Sequence, residues 1–223
     1  MSDVKSVLTI YSTILGGFYA KSKEFEVAMR RAHDKVGADV WKRGFSNRQA
    51  DGATAAARTE IALAGIEPTR VNGNLVRVAY VENTDGSGNV YPKLRVGVEN
   101  LDHEILLSLD IKDDVAQRLI SKLDNCQPGQ FVVVSAWPSE VERSGRVFVN
   151  HAVSVKDENK NEIPHNSVFS GEVKKLTDGV AAVLSSAGIT DPKTISAAKI
   201  AKRIEAHKKQ LAELSKRFVV VAA

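Results

Sequence analysis

Two stretches of the sequence interleave aromatic rings with cationic side chains. The first stretch contains Trp41, Lys42, Arg43, Phe45 and Arg48, and the second contains Tyr91, Lys93 and Arg95. In complexes with nucleic acids, cations contact the phosphates and aromatic rings stack on bases that are free of a duplex. Both stretches therefore predict contacts with single-stranded nucleic acid.

The first stretch belongs to a longer basic segment. Between Arg30 and Arg48 there are six basic residues, Arg31 among them, against Asp34 and Asp39. Apolar residues recur with helical spacing from Phe25 onward, which places the cations on the other faces of a helix. An alternative stays open for this segment: the two rings pack into the core and the cations only face solvent.

The second stretch lies in a predicted β-strand. Successive strand side chains point to opposite faces, so Tyr91, Lys93 and Arg95 share one face while Leu94 and its apolar neighbours occupy the other. On the preceding strand, Val76, Val78 and Tyr80 alternate with Arg77, Ala79 and Val81, and Arg77 is a further candidate for nucleic-acid contact. Gly97 would allow a base or a backbone to approach closely. The alternative is an ordinary strand with its cations in solvent.

The order of elements around this stretch predicts an OB-like fold. Apolar runs, alternation and turn residues predict the following elements in turn: strands Val71–Val81, Tyr91–Glu99 and Glu104–Ile111, a helix Asp114–Leu123, and strands Phe131–Trp137 and Arg146–Lys156. Strand, strand, strand, helix, strand, strand is the order of the five-stranded OB barrel, whose face binds oligonucleotides or oligosaccharides. In that fold the loop between the last two strands, here Ser139–Gly145, helps to hold the ligand. Trp137, Arg143 and Arg146 are therefore further candidates for nucleic-acid contacts.

Charge divides the chain into three predicted segments. Residues 1–70 form a basic helical N-terminal arm of net charge +3, residues 71–165 form the OB-like β-unit of net charge −4, and residues 166–223 form a basic helical C-terminal segment of net charge +5. The predicted class is α+β. Because the β-unit is acidic as a whole, a polyanion is expected to contact both arms as well as selected strand positions. Near the N-terminus, the spacing from Val4 to Phe18 favours a helix, although the β-branched run Leu8–Ile14 leaves a strand open.

The final helix, predicted over Pro192–Phe218, carries the clearest periodicity. Its seam consists of Ala197, Ile200, Ile204, His207, Leu211, Leu214 and Phe218. Such a seam either pairs between two chains, which predicts a homo-oligomer, or docks on the β-unit of the same chain.

Catalytic and metal-binding patterns are not found in the sequence. The five histidines are scattered without metal-ligand spacing, and the glycine pair before Lys21 does not form a phosphate loop. We therefore predict a protein that is not an enzyme and needs no cofactor. Cys126 is the only cysteine, which suits a reducing, cytoplasmic setting, and no apolar run reaches the roughly 20 residues of a membrane span.

Within Gly73–Pro164, the pattern of elements resembles small phage-type single-stranded DNA-binding proteins. The segments that carry the resemblance are Leu94–Val98, Ile105–Ile111, Leu119–Leu123, Phe131–Val134 and Val147–Val155. The resemblance implies a viral protein that binds single-stranded DNA with little sequence preference in DNA replication or transcription. Many such proteins recruit partners through an acidic C-terminal tail, whereas this chain ends with Lys216, Arg217 and an apolar run. A structural or assembly protein that oligomerises through its helical arms is the competing prediction.

Overall fold

The computed structural model describes residues 6–101 and 103–219, apart from the side chains of Arg143, Arg146 and Val219. These residues form seven strands and six helices. The strands are β1 Ser6–Ser12, β2 Gly17–Ala20, β3 Val71–Thr84, β4 Val90–Glu99, β5 Glu104–Asp110, β6 Phe131–Arg143 and β7 Arg146–Lys156. The helices are α1 Lys23–Val36, α2 Ala38–Trp41, α3 Ala53–Leu63, α4 Asp114–Leu123, α5 Ser167–Ser186 and α6 Pro192–Val219. Val4 and residues 220–223, used in the predictions above, lie outside the described part of the chain.

All seven strands belong to one curled, mixed sheet in the order β2-β1-β5-β4-β3-β6-β7. The fold is α+β, but the prediction of a five-stranded OB-like barrel is wrong. One edge of β5 pairs with β4. In a five-stranded barrel, the other edge of β5 must pair with another of the five strands so that the sheet closes. That edge is instead occupied by β1, which pairs with β5 in parallel from Ser6 to Thr9, and β2 then extends the sheet further.

The N-terminal segment is therefore not wholly helical, and the helix favoured over residues 4–18 is replaced by β1 and β2. Strand β1 is apolar on both faces because both faces are covered: Tyr11 packs against one hydrophobic cluster and Ile10 against the other. A strand covered on both sides loses the two-residue alternation that would identify it in a sequence. The later helical predictions in this segment are confirmed by α1 and α3.

The sheet curls until its two ends meet. The Tyr11 hydroxyl on β1 lies 2.8 Å from His151 Nδ1 on β7, although four strands separate β1 and β7 in the sheet order. At the same place the β1–β2 turn approaches β6 so closely that a Cβ on Gly16 would lie 2.4 Å from Pro138 Cδ. With its φ of 74°, Gly16 also has a backbone conformation that favours glycine.

Strand β3 bends where it passes from β6 to β4. Its first residues pair with β6, its remainder pairs with β4, and the register shifts between Leu75 and Arg77. Gly73, with φ of 147°, allows the close approach, since a Cβ there would lie 2.2 Å from the Glu99 carbonyl oxygen. The bulge leaves Val76 exposed next to Arg77, so the strict alternation predicted from Val76 to Val81 is interrupted at its first step.

Two hydrophobic clusters lie on opposite sides of the sheet. The larger cluster joins the inner sheet face to α4 and α6, and it includes Phe18, Leu94 and Leu214 from all three predicted segments. The smaller cluster packs α1 and α3 against β1 and β2 and includes Tyr19, Phe25 and Ala57. None of the helices formed by the described residues is both long and apolar enough to cross a membrane.

Helix α6 docks in cis over its C-terminal half. Leu211, Leu214 and Phe218 are buried in the larger cluster, and the Arg217 guanidinium contacts an Asp124 carboxylate oxygen at 3.2 Å. Toward the other end of the helix, Ile200 is exposed. The predicted seam therefore has two different halves, of which only the second packs on the β-unit.

Candidate nucleic-acid interface

The predicted face of strand β4 is present. Leu94, Val96 and Val98 are fully buried on the inner side, whereas Tyr91, Lys93 and Arg95 alternate with them on the other side and retain partial exposure. On β3, Arg77 is exposed and Ala79 is paired with Arg95. We call Arg77, Tyr91, Lys93 and Arg95 the outer strand face.

The β3–β4 turn orients Tyr91. The Tyr91 hydroxyl donates a hydrogen bond to Asp85 Oδ2, an atom of the turn, at 2.9 Å. The ammonium groups of Lys93 and Lys112 each lie 5.9 Å from the centroid of the Tyr91 ring. The Asn89 side chain, followed by backbone and Tyr91 donors, holds the pKa of Asp85 at about 2. The ring is thus held by an ionised carboxylate and has two cations beside it, an arrangement that favours a cation–π contact.

Ion pairs take up part of the charge on this face. The Lys93 ammonium lies 3.2 Å from Asp110 Oδ2, and Arg77 Nε lies 3.9 Å from Glu104 Oε1. Arg95 makes no hydrogen bond or ion pair with a residue that the structure describes. Arg95 is therefore the cation on this face that is free to take a phosphate.

Gly97 has a different role from the one predicted. A Cβ at this position would lie 2.4 Å from Glu104 Oε1 and 2.9 Å from the Arg77 Cβ. The space over Gly97 is thus occupied by the Glu104 carboxylate, whose other oxygen accepts a hydrogen bond from the Ser6 hydroxyl. A base cannot approach there.

A second aromatic surface lies on the β6–β7 hairpin. Trp137 is 46% exposed and Phe148 is 50% exposed. Phe148 is paired with Val141, and Trp137 precedes Val141 by four residues on the same strand face, a separation of about 13 Å at the usual strand rise. We call Trp137, Val141 and Phe148 the hairpin face.

The hairpin is longer than predicted. Strand β6 continues past Trp137 to Arg143, so the predicted loop Ser139–Gly145 reduces to a turn at Ser144 and Gly145, which both have positive φ. Pro138 is tolerated because β3 pairs with β6 only as far as Val134, which leaves one edge of the strand free. Arg143 and Arg146 are paired across the turn by backbone register.

The opposite side of the hairpin is covered by the segment after α2. The backbone N–H of Asn47 donates to Glu140 Oε1 at 2.8 Å. Arg48 forms ion pairs with Glu140 and Glu142 at 3.2 and 3.6 Å. The predicted DNA contact Arg48 is therefore engaged within the protein.

The first aromatic–cation stretch does not form a stacking surface. Phe45 is only 5% exposed and lies below the Arg58 guanidinium, 5.9 Å from its ring centroid. Trp41 is partly buried against the smaller cluster and makes an edge contact with His33 at 5.3 Å. The remaining predicted cations, Arg30, Arg31, Lys42 and Arg43, are exposed and make no ion pair with a described residue.

The outer strand face and the hairpin face lie on the same side of the sheet. Asn72 on β3 is paired with Val133 on β6, so their side chains share one face of the sheet. Alternation along β6 puts Trp137 on the same face as Val133. Alternation along β3, with one extra residue at the bulge, puts Arg77 on the same face as Asn72. Sequence reasoning identified Trp137 but missed Phe148. In the sequence, Phe148 stands two residues from Arg146 and from Asn150, and strand alternation puts it on the same outward face as these polar residues.

No family model, curated protein or solved structure matches this chain. The candidate interface is consequently defined by its own geometry. It consists of accessible rings and a cation, Arg95, that pairs with none of the described residues, on the side of the curled sheet that faces away from the larger core.

Proposed function

We propose that the protein binds single-stranded DNA with little sequence preference, as an accessory protein in DNA replication or transcription. The observation that supports this best is the placement of Tyr91, Trp137 and Phe148 on one side of the sheet together with the unpaired Arg95. Aromatic rings of this kind stack on any base, because every base presents a π-face.

Single strands fit this surface better than a duplex. The bases of a duplex are stacked on each other and present only their edges in the grooves. Exposed rings on a sheet gain stacking energy only from bases that are free to leave their neighbours. Stacking also removes the apolar surface of Trp137 and Phe148 from water, which is favourable in free energy.

The exposed cations of α1 and the following segment supply longer-range attraction. Arg30, Arg31, Lys42 and Arg43 raise the local concentration of a polyanion without specifying its sequence. In this proposal they steer the strand toward the sheet, whereas the rings hold it there.

A competition titration tests the proposal. A fluorescently labelled oligothymidylate is bound and then displaced by unlabelled single strand, by duplex of the same length, or by heparin, at two salt concentrations. Single strands should compete better than either alternative, and the affinity should fall with salt by about 0.7 logarithmic units per phosphate contacted and per decade of salt. Duplex or heparin competing as well as single strands would overturn the proposal.

An assembly protein is the second candidate, and one observation favours it. Leu176, Val183 and Ile200 are exposed on the part of the α5–α6 pair that does not dock on the β-unit. If this surface pairs between chains, Val183→Ser and Ile200→Ser should lower the mass measured by analytical ultracentrifugation.

The docked half of α6 provides the matched control for that experiment. Leu211 is fully buried, so Leu211→Ser should lower the free energy of unfolding by roughly 2–5 kcal/mol. The mass of the folded Leu211→Ser protein should not change. A parent protein that is already monomeric at micromolar concentration would exclude assembly through α5 and α6.

A further inference from the structure

A cationic cavity lies on the other side of the molecule from the candidate nucleic-acid interface. Helices α4, α5 and α6 and strand β7 line a cavity of about 380 Å³ that is open to solvent, a volume within the range of small-molecule sites. Val153, on the inner side of β7, forms part of its wall. The cavity is thus separated from the outer strand face by the sheet itself.

The charge of the cavity wall is positive. Arg118 from α4 and Arg203 from α6 line it, and neither guanidinium makes a hydrogen bond or ion pair with a described residue. Lys122 also lines the cavity and is already paired with Glu162 at 2.5 Å. Asp114 is the only carboxylate among the described lining residues. Because Glu162 offsets Lys122, the two guanidinium groups supply the positive charge of the wall and exceed the charge of Asp114 by one.

Two unpaired guanidinium groups indicate the chemistry of a ligand. The planar fork of arginine binds carboxylate and phosphate oxygens through pairs of hydrogen bonds. Two guanidinium groups match a phosphate monoester, which carries about −1.5 to −2 at neutral pH, better than a single carboxylate. The hydroxyls of Ser121 and Ser170 lie 3.4 Å apart in the same wall, and the Ser170 hydroxyl donates to the Asn166 carbonyl oxygen at 2.9 Å.

The remaining wall suits an organic group. Val153, Val173 and Phe169 are apolar, and the His207 ring meets the Phe169 ring edge-on at 5.1 Å. His207 Nδ1 donates to the Arg203 carbonyl oxygen at 2.8 Å, which leaves Nε2 without a described partner. Burial lowers the pKa of His207, so the ring is neutral at neutral pH and adds no charge before a ligand enters.

We propose that this cavity binds a small organic phosphate monoester, with Arg118 and Arg203 holding the phosphate. Adenosine monophosphate is a suitable probe, because it combines the dianion with an organic part that an apolar wall can cover. Adenosine, which lacks the phosphate, tests whether the charge is necessary.

The test is a titration of the full chain with adenosine monophosphate, in which binding is measured by calorimetry and by the change in melting temperature. The ligand should raise the melting temperature of the parent protein in proportion to the logarithm of its concentration. Arg118→Gln and Arg203→Gln should each weaken binding by about tenfold or more, as expected for loss of a charge-assisted hydrogen bond. Lys209→Gln, an exposed change on α6 that does not line the cavity, should leave binding unchanged.

The outcomes distinguish this cavity from the DNA interface. Arg95→Gln should leave binding of adenosine monophosphate unchanged, whatever it does to DNA binding. Oligonucleotides with and without a 5′-phosphate, tested as competitors of bound adenosine monophosphate, identify the source of the phosphate. Displacement by the phosphorylated strand alone indicates a strand end, and displacement by neither indicates a free nucleotide. Absence of binding at millimolar adenosine monophosphate, or equal binding of adenosine, would overturn the proposal. Equal binding by the Arg118→Gln, Arg203→Gln and Lys209→Gln variants would also overturn it.

Discussion

The segment Trp41–Arg48 and the strand segment Tyr91–Arg95 carry the same mixture of rings and cations, but they occupy different structural settings. In the first segment, Phe45 lies in the interior and Arg48 is held by two glutamates of the hairpin. In the second, strand alternation directs the apolar residues inward and leaves Tyr91 and Arg95 on the other side. The same composition thus provides packing in one place and a binding surface in the other.

The difference arises from how each secondary structure distributes its side chains. A strand inside a sheet has only two faces, so burial of one face leaves the other outside. The segment around Phe45 is a short helix followed by a loop that turns back over the sheet, and any ring in it can swing into the core. Interleaving of rings and cations therefore indicates a nucleic-acid surface more reliably on a strand.

The largest effect that we expect is on stability, at Phe45. Because its ring is buried between the β1–β2 turn and Arg58, Phe45→Ala should lower the free energy of unfolding by roughly 3–5 kcal/mol. Urea denaturation measures this loss. Leu63→Ala, at an exposed position near the end of α3, serves as the control and should remain close to the parent protein. If Phe45→Ala kept its stability but lost DNA affinity, the segment Trp41–Arg48 would be the DNA-binding surface, contrary to this account.

The next effect is on binding, at Trp137. Since the ring is 46% exposed, Trp137→Ala should change stability little and should cost about 1–3 kcal/mol of binding free energy for single-stranded DNA. Fluorescence anisotropy with a labelled oligonucleotide measures the loss. Trp137→Phe keeps an aromatic ring and should retain most of the affinity; equal losses for the two variants would argue against stacking.

The smallest effect separates two neighbouring cations of β4. Arg95 has no described partner, whereas Lys93 is paired with Asp110. Arg95→Gln should therefore reduce the slope of log affinity against log salt by about 0.7, which is the contribution of one phosphate on a single strand. Lys93→Gln should reduce it less. The reverse order in the salt titrations would show that the ion pair opens on binding and that Lys93 is the phosphate contact.

Local elements were the predictable part of this fold. Strands β4 and β7 and helix α4 follow from alternation, apolar spacing and turn residues, and the structure confirms them almost residue for residue. The outward position of Tyr91, Lys93 and Arg95 followed from the same alternation. These features depend only on neighbours within a few residues, which is why a single sequence contains them.

Features set by distant partners could not be predicted. Strand β1 is apolar on both faces because helices and sheet cover it from two sides, and this removed its strand signal. Its parallel pairing with β5 joins residues separated by about a hundred positions. The ion pairs of Arg48 with the hairpin, and the burial of Phe45 below it, depend on the same long-range curl of the sheet.

The two tryptophans of the chain allow the most direct test. Trp41 begins the first of the compared segments, and Trp137 lies on the hairpin face, on the same side of the sheet as Tyr91 and Arg95. Trp41→Phe leaves Trp137 as the only tryptophan, and Trp137→Phe leaves Trp41. Titration of single-stranded DNA should quench the emission of Trp137 in the first variant, because bases stack on its ring, and should leave the emission of Trp41 in the second variant nearly constant. Quenching of Trp41 with no change at Trp137 would contradict the account and place the DNA at the segment Trp41–Arg48.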